Sequence, residues 1–354
     1  MGRAMSIPDG VLAEVFDTLP AAQDPFALSL NEIPFPPLPS VRSALVASIG
    51  AANRYPEFLP QRLRALIAEH LGVAEGQVVI GTGATGVIMQ VLQAVTRPGD
   101  AMVMATPTFD GYPIFAQIAR LRSITVALDA YGHHDLDAMA GAAAAGARVV
   151  VVCRPHNPTG TVESAAALRR FLHAVPVDTT VVLDEAYVEF LAPEHRLDTR
   201  ELVLCHPNLV VVRTFSKAYG LAGLRIGYGF CGPELARRLW TMQLPFGVGL
   251  TGLVAVAACY DAEDEMRHRI RIIDTERRRL RTQLSRLGIY STDAQANFVY
   301  LPAPGGDRAV WRQVFDGDGP RVRHYGDGGV RITIGVRQST RAVLSAVAGF
   351  RAGG

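Results

Sequence analysis

The sequence predicts an α/β protein, a large doubly wound and mostly parallel sheet of seven strands followed by a smaller α+β unit. Three observations carry this reading. From Val78 to Phe230, short β-branched runs alternate with stretches of helical period, as in repeated strand-helix units. The strand runs are continuously apolar, Val149 to Cys153 being the clearest, which suits strands covered on both faces. After Pro245 the order changes, with long helices first and short strands later.

In chain order, the strands expected are 77–80, 101–105, 123–128, 148–153, 180–183, 209–213 and 225–230. Helices are expected between them at 85–95, 112–120, 136–145 and 164–174, which places any ligand groups at strand ends. The second unit begins with helices at 251–260 and 263–287. It continues with strands at 297–301, 322–325 and 330–334 and a last helix from Ser339. The segment 25–39 holds Pro34, Pro36, Pro37 and Pro39, so it cannot be a helix interior and should lie extended across a surface. The alanines at 142–145 read as a helix end, and no internal repeat is present.

With 354 residues and 49% hydrophobic content, the chain exceeds what one core usually supports, so two lobes of one globular enzyme are expected. Their bounds are 1–40 for an arm that packs with the small domain, 41–245 for the large domain and 246–354 for the small one. A net charge of +2 gives no global field for nucleic acid or an anionic membrane, which leaves a small-molecule ligand. The arginine-rich stretch 267–281 is interspersed with Asp274 and Glu276 and reads as a solvated helix face. His133 and His134, next to Asp135 and Asp137, resemble a metal cluster only by composition; a surface turn is expected there and no metal. Four scattered cysteines fit a reducing cytoplasm. Met1 to Pro8 lacks a signal-peptide core, and the longest apolar stretch, near 248–259, is too short to span a bilayer, so a soluble protein is expected.

The chemistry centres on Lys217. It is preceded by Ser216, followed by small residues and then by Arg225. Such a lysine can carry an aldehyde cofactor as a Schiff base, provided that the cofactor's phosphate finds cationic and neutral donors nearby. Three partners lie upstream in order. Asn157, in the turn Arg154 to Gly160 after an apolar strand, can donate to a phenolic oxygen and to a substrate carboxylate. Asp184, at the end of another strand, can pair with a pyridine nitrogen and keep the ring an electron sink. Tyr187 can reach the phenolic oxygen. The loop Gly81 to Gly86 joins strand to helix, and N–H groups around Gly83, Ala84 and Thr85 can cradle a phosphate. Ser216, Arg225 and Thr214 would complete the cup, with Phe109 stacked on the ring. Singly these are an ordinary turn, a helix cap and a core aromatic; jointly, each at a strand end, they imply pyridoxal 5′-phosphate.

At these residues the chain resembles the class II aminotransferases of the pyridoxal-phosphate-dependent fold type I. Within them it is similar to histidinol-phosphate aminotransferases and the bacterial aromatic amino acid (phenylalanine) aminotransferases. The matching segments run nearly end to end: 28–34, 54–56, 81–84, 156–160, 184–187, 216–225, 296–298 and 330–335. The resemblance implies that Lys217 forms the Schiff base and shuttles the proton, that Asp184 pairs with the ring nitrogen, and that Asn157 and Tyr187 hold the phenolic oxygen. It also implies that Arg331 receives the substrate carboxylate, for which a planar guanidinium is suited. Tyr55 is expected to reach the cofactor phosphate of a second subunit, hence a homodimer.

Two departures bear on the branch. Ile33 stands where many relatives have asparagine, and Thr85-Gly86 stands where histidinol-phosphate enzymes often carry two acids. The proline-rich arm and the short approach 323–329 to Arg331 look more like the aromatic branch. Arg323 matches a second anion site in the histidinol-phosphate branch and would equally serve the distal carboxylate of glutamate. The expected reaction is therefore transfer of an amino group from an aromatic L-amino acid to 2-oxoglutarate, giving an aromatic 2-oxo acid and L-glutamate. Histidinol phosphate as donor is the alternative. Decarboxylation of a phosphorylated amino acid, or a cofactor-binding regulator on the same scaffold, are the remaining readings; the latter usually carries a DNA-binding module for which the arm leaves no room.

Overall fold

A computed structural model describes residues 20–352. Residues 1–19 of the expected arm, including the Met1 to Pro8 start, and 353–354 lie outside the described residues. From residue 20 the described part runs through an extended segment and two helices, α1 (Pro39–Ser48) and α2 (Gln61–Leu71). It then alternates through β1 (Val78–Thr82), α3 (Gly83–Val95), β2 (Ala101–Thr106), α4 (Gly111–Ile118), β3 (Arg122–Ala127), α5 (Leu136–Ala144) and β4 (Val149–Cys153). The alternation continues with α6 (Ala165–Ala174), β5 (Thr180–Asp184), α7 (Thr199–Cys205), β6 (Leu209–Thr214), β7 (Ile226–Cys231) and α8 (Pro233–Trp240). Beyond these come α9 (Leu250–Asp261), α10 (Glu263–Arg286), β8 (Phe298–Leu301), α11 (Val310–Val314), β9 (Arg323–His324), β10 (Val330–Thr333) and α12 (Arg337–Ala352).

Strands β1 to β7 form one sheet in the order β1-β7-β6-β5-β4-β2-β3, and β7 runs antiparallel to both of its neighbours. The other pairings are parallel. Alternate residues of one strand enter different cores: Val150 and Val152 pack in one apolar cluster, Val149 and Val151 in the other. A period of two with both faces buried is why the strand sequences read as unbroken apolar runs.

A three-stranded antiparallel sheet, β8-β10-β9, forms a second layer system with α10 and α12. Helix α10 buries Met266, Ile273, Arg277, Leu280 and Leu284, one stripe repeating every three or four residues. Leu28 of the extended segment bonds beside this sheet: its amide donates to the Arg321 carbonyl and its carbonyl accepts from the Thr333 amide, both at 2.9 Å. Pro39 ends the extended run as the first residue of α1, a position where its missing N–H costs nothing.

The structure corrects several expectations. Arg225 is not a strand residue; it has φ 55° and stands just before β7. Helices α1, α2, α7, α8 and α11 were not anticipated. His134 is buried rather than on the surface, 2.6 Å from Glu163 through its Nδ1, and Asp135 caps α5 by accepting from the Ala138 amide. The arginine-rich α10 is not solvated throughout, because Arg277 is buried and donates to the Ala296 carbonyl.

Candidate active site

Because β7 runs against the rest of the sheet, its amino end lies at the same edge as the carboxyl ends of β1, β2, β4, β5 and β6. That edge is where open α/β sheets present ligand-binding groups. It delivers Ala84 and Thr85 after β1, Phe109 after β2, Asn157 after β4, Asp184 at the end of β5, Thr214 at the end of β6 and Arg225 before β7. All of them, with Tyr187, Ser216, Lys217, Arg323 and Arg331, line one cavity of about 400 Å³.

Asp184 is buried, and desolvation raises its pKa. Two donors oppose that shift: Tyr112 Oη donates to Oδ2 at 2.7 Å and the Ala186 amide to Oδ1 at 3.0 Å. Tyr112 itself keeps its proton, since burial and then the Asp184 charge push its pKa far up. Lys217 Nζ donates to the carbonyls of Leu30 at 2.9 Å and Asn31 at 3.2 Å, so the extended segment forms a wall against the amine. Burial, then Arg331, bring its pKa down to about 7, against the pull of Glu32 and Asp184.

Tyr187 Oη accepts from Asn31 Nδ2 at 2.9 Å, with Asn157 Nδ2 further off at 3.5 Å. Two amide donors leave the phenol's own proton free for an acceptor in the cavity. Asn157 turns its Oδ1 to Arg331 Nη1 at 2.6 Å. Arg331 also donates to Tyr325 Oη at 3.0 Å and to the Ser29 carbonyl, and its Nε is buried without a partner.

At the other end, Arg225 Nη1 approaches Ser216 Oγ at 3.3 Å and its Nη2 approaches Thr85 Oγ1 at 3.4 Å, while Thr214 Oγ1 donates to Ser216 Oγ at 2.9 Å. Helix α3 begins here with no side-chain cap from Thr82, so its first amides are left for a ligand. Gly83 has φ 77° and a Cβ there would strike the Arg225 guanidinium, which makes glycine necessary for the close approach of loop and arginine.

One expected residue is elsewhere: Tyr55 is 84% exposed and packs on Phe246, outside the cavity of its own chain. Asn31, Asp110 and Tyr112 line the cavity but were missed. Asn31 stands in the matching segment 28–34, and Asp110 and Tyr112 follow closely on Phe109, yet no chemistry attached to them without the fold.

The donor set fits pyridoxal 5′-phosphate. A cation, three hydroxyls and an uncapped helix end suit its phosphate; a buried carboxylate suits its ring nitrogen; a phenol with a free proton suits its phenolic oxygen; a depressed lysine suits its aldehyde. Residues 23–347 match the family of class I and II aminotransferases.

The chain belongs to that family. It is 40% identical to the aromatic amino acid aminotransferase of Streptomyces avermitilis over 334 residues, 94% of this chain and 92% of that protein. The aromatic amino acid aminotransferase of Streptomyces coelicolor is also 40% identical, over 94% of this chain and 93% of its own length. Among solved structures, histidinol-phosphate aminotransferase from Sinorhizobium meliloti in complex with pyridoxal-5'-phosphate superposes with a TM-score of 0.86 at 26% identity, covering 99% of this chain and 96% of that one. This aminotransferase thus has the fold expected of it, and pyridoxal 5′-phosphate is its cofactor.

Proposed function

We propose that this aminotransferase transfers the amino group of an aromatic L-amino acid to 2-oxoglutarate in two half reactions. The observation that carries the reaction type is the convergence of Lys217, Asp184, Asn157, Tyr187 and Arg225 on one cavity. The aromatic donor is supported by the 40% identity to enzymes named for that substrate class over more than nine-tenths of the chain. When bound, pyridoxal phosphate supplies the aldehyde that captures the amino group and the ring that takes up the electron pair left by the α-proton.

The residues then divide the work. Lys217, depressed to about 7, accepts a proton at Nζ and returns it to a neighbouring carbon, as a base near its operating pH can. Asp184 presents a buried negative charge to the ring nitrogen, fixed in aim by Tyr112 and the Ala186 amide. Tyr187 and Asn157 orient the phenolic side. Arg331, two of whose N–H donors are met only by a side-chain amide and a phenol, turns them to a substrate carboxylate. Thr214, Ser216, Arg225, Gly83, Ala84 and Thr85 hold the phosphate, with Phe109 against the ring.

Histidinol phosphate is the second reading, favoured by Arg323, a further cation on the same cavity. A panel decides between them. With phenylalanine, tyrosine, histidinol phosphate and glutamate added singly, the visible band of the holoenzyme should be lost fastest with an aromatic amino acid. Faster loss with histidinol phosphate overturns the assignment.

The proposal includes a homodimer of chains divided near residue 245 into a large and a small domain. Tyr55, Phe58, Leu244 and Phe246 are exposed together, an apolar patch of the kind that marks an interface. A second copy there would bring Tyr55 to its neighbour's phosphate. Among the described residues no helix is long and apolar enough to cross a membrane. The cytoplasm is the compartment proposed, supported by four free cysteines.

A further inference from the structure

Asp110 lines the cavity, yet none of the roles above uses it. It stands at the amino end of α4, where an aspartate normally accepts from a helix amide, but its side chain makes no capping bond. Its Oδ2 instead accepts from Arg323 Nη2 at 2.7 Å, which joins the edge of the large sheet to β9 of the small one. Arg323 and Arg331 are direct partners in the antiparallel register of β9 and β10, so both side chains leave the same face. Two guanidiniums therefore serve one cavity, the inner one buried and the outer one neutralised by Asp110. The outer pair is about half exposed, 47% for Arg323 and 49% for Asp110, and pairs screened by water in this way bind weakly.

We propose that Asp110 is a specificity-determining residue: its carboxylate is an exchangeable counter-ion for Arg323. An uncharged side chain is received with the pair closed, and an anionic one only by taking Arg323 from Asp110. This rests on the reading that Arg331 holds the substrate's α-carboxylate, which sends the side chain toward Phe109, Asp110 and Arg323. An aromatic ring carries no charge to replace the Asp110 carboxylate and leaves Arg323 with Asp110. A distal carboxylate or phosphate must replace Asp110 as the partner while the freed Asp110 charge repels it. Because the exposed pair is a weak competitor, the result is a bias against anionic side chains and not their exclusion. The same site can thus receive a ring in one half reaction and a dicarboxylate in the other.

The test uses two ligands without an amino group, glutarate and 3-phenylpropionate, titrated calorimetrically into the cofactor-loaded enzyme. In Asp110→Asn, which keeps the shape and removes the charge, the ratio of the glutarate Kd to the 3-phenylpropionate Kd falls by about tenfold. In Arg323→Met the ratio rises, and adding Asp110→Asn to Arg323→Met lowers it by clearly less than the same change does in the native background, since only the direct repulsion by Asp110 is then relieved. A ratio within about twofold of the native one in Asp110→Asn, or an equal fall when Arg323 is absent, overturns the proposal. Failure of the underlying reading shows separately: Arg331→Gln would then leave both Kd values as they were, while the role of Asp110 is still read from the ratio.

Discussion

Tyr112 Oη donates a 2.7 Å hydrogen bond to Asp184 Oδ2, and both groups are buried. The bond opposes the desolvation that raises the Asp184 pKa. Removing it in Tyr112→Phe raises that pKa further, so the carboxylate protonates at a higher pH and loses its hold on the ring nitrogen. A hydrogen bond to a charged group contributes about 1.5–3 kcal/mol, so kcat should fall by about ten- to a hundredfold. The acidic limb of the kcat profile should move to higher pH. A variant with the native profile would show that Tyr112 only fills space.

Asn31 ties three parts of the chain together. Its amide donates to Tyr187, its Oδ1 accepts from Thr333 Oγ1 at 3.1 Å, and its backbone carbonyl accepts from Lys217 and from Asn297 Nδ2. Its φ of 55° is a conformation that asparagine tolerates better than alanine. Asn31→Ala should therefore destabilise the protein by about 2–4 kcal/mol in urea unfolding, from two lost buried hydrogen bonds and the backbone term. Asn31→Gly should be milder in stability but equally impaired in kcat, because it restores the backbone and not the Tyr187 contact.

Cofactor uptake needs the Lys217 amine without its extra proton. With its pKa depressed to about 7, the uptake rate of cofactor-free protein should climb with pH up to about 7 and level off above. Arg331 is among the causes of the depression, so Arg331→Gln should move the midpoint upward. Stopped-flow absorbance across the pH range reads both, and a midpoint near the ordinary lysine value of about 10 in the native protein would remove this explanation.

Gly83→Ala sets a Cβ against the Arg225 guanidinium in a backbone conformation with φ 77°. Pyridoxal phosphate should bind about ten- to a hundredfold more weakly, an effect of roughly 1.4–3 kcal/mol on the charge-assisted contacts of the phosphate. Pyridoxal without the phosphate should be affected much less. An equal loss for both would place the damage in the fold rather than in the phosphate cup.

Part of this site was legible because several members sit at or just beyond the end of an apolar strand, and a strand buried on both faces announces itself in sequence. Asn157, Asp184 and Thr214 are of that kind. Arg225 lies on the cavity where it was expected but not in a strand, since a left-handed residue at a strand's start leaves no mark in an apolar run. The seven strands were found, whereas α1 and α2 were not: α1 buries only Val41, and α2, although it carries a stripe at Leu63, Ile67 and Leu71, begins without a capping side chain to mark its start. Asn31, Asp110 and Tyr112 escaped for a different reason. Their partners lie 156, 213 and 72 residues away, so nothing local distinguishes them from loop residues. Tyr55 shows the same limit in reverse, its surroundings in one chain being solvent and Phe246.

The most direct measurement concerns Lys217 itself, the single lysine of the sequence. Holoenzyme reduced with borohydride, digested and mapped by mass spectrometry should carry one pyridoxyl group, on the peptide that contains Lys217. The Lys217→Ala protein treated in the same way should carry none. A pyridoxyl group fixed on any other amine, or a native protein that retains no label after reduction, would contradict the account.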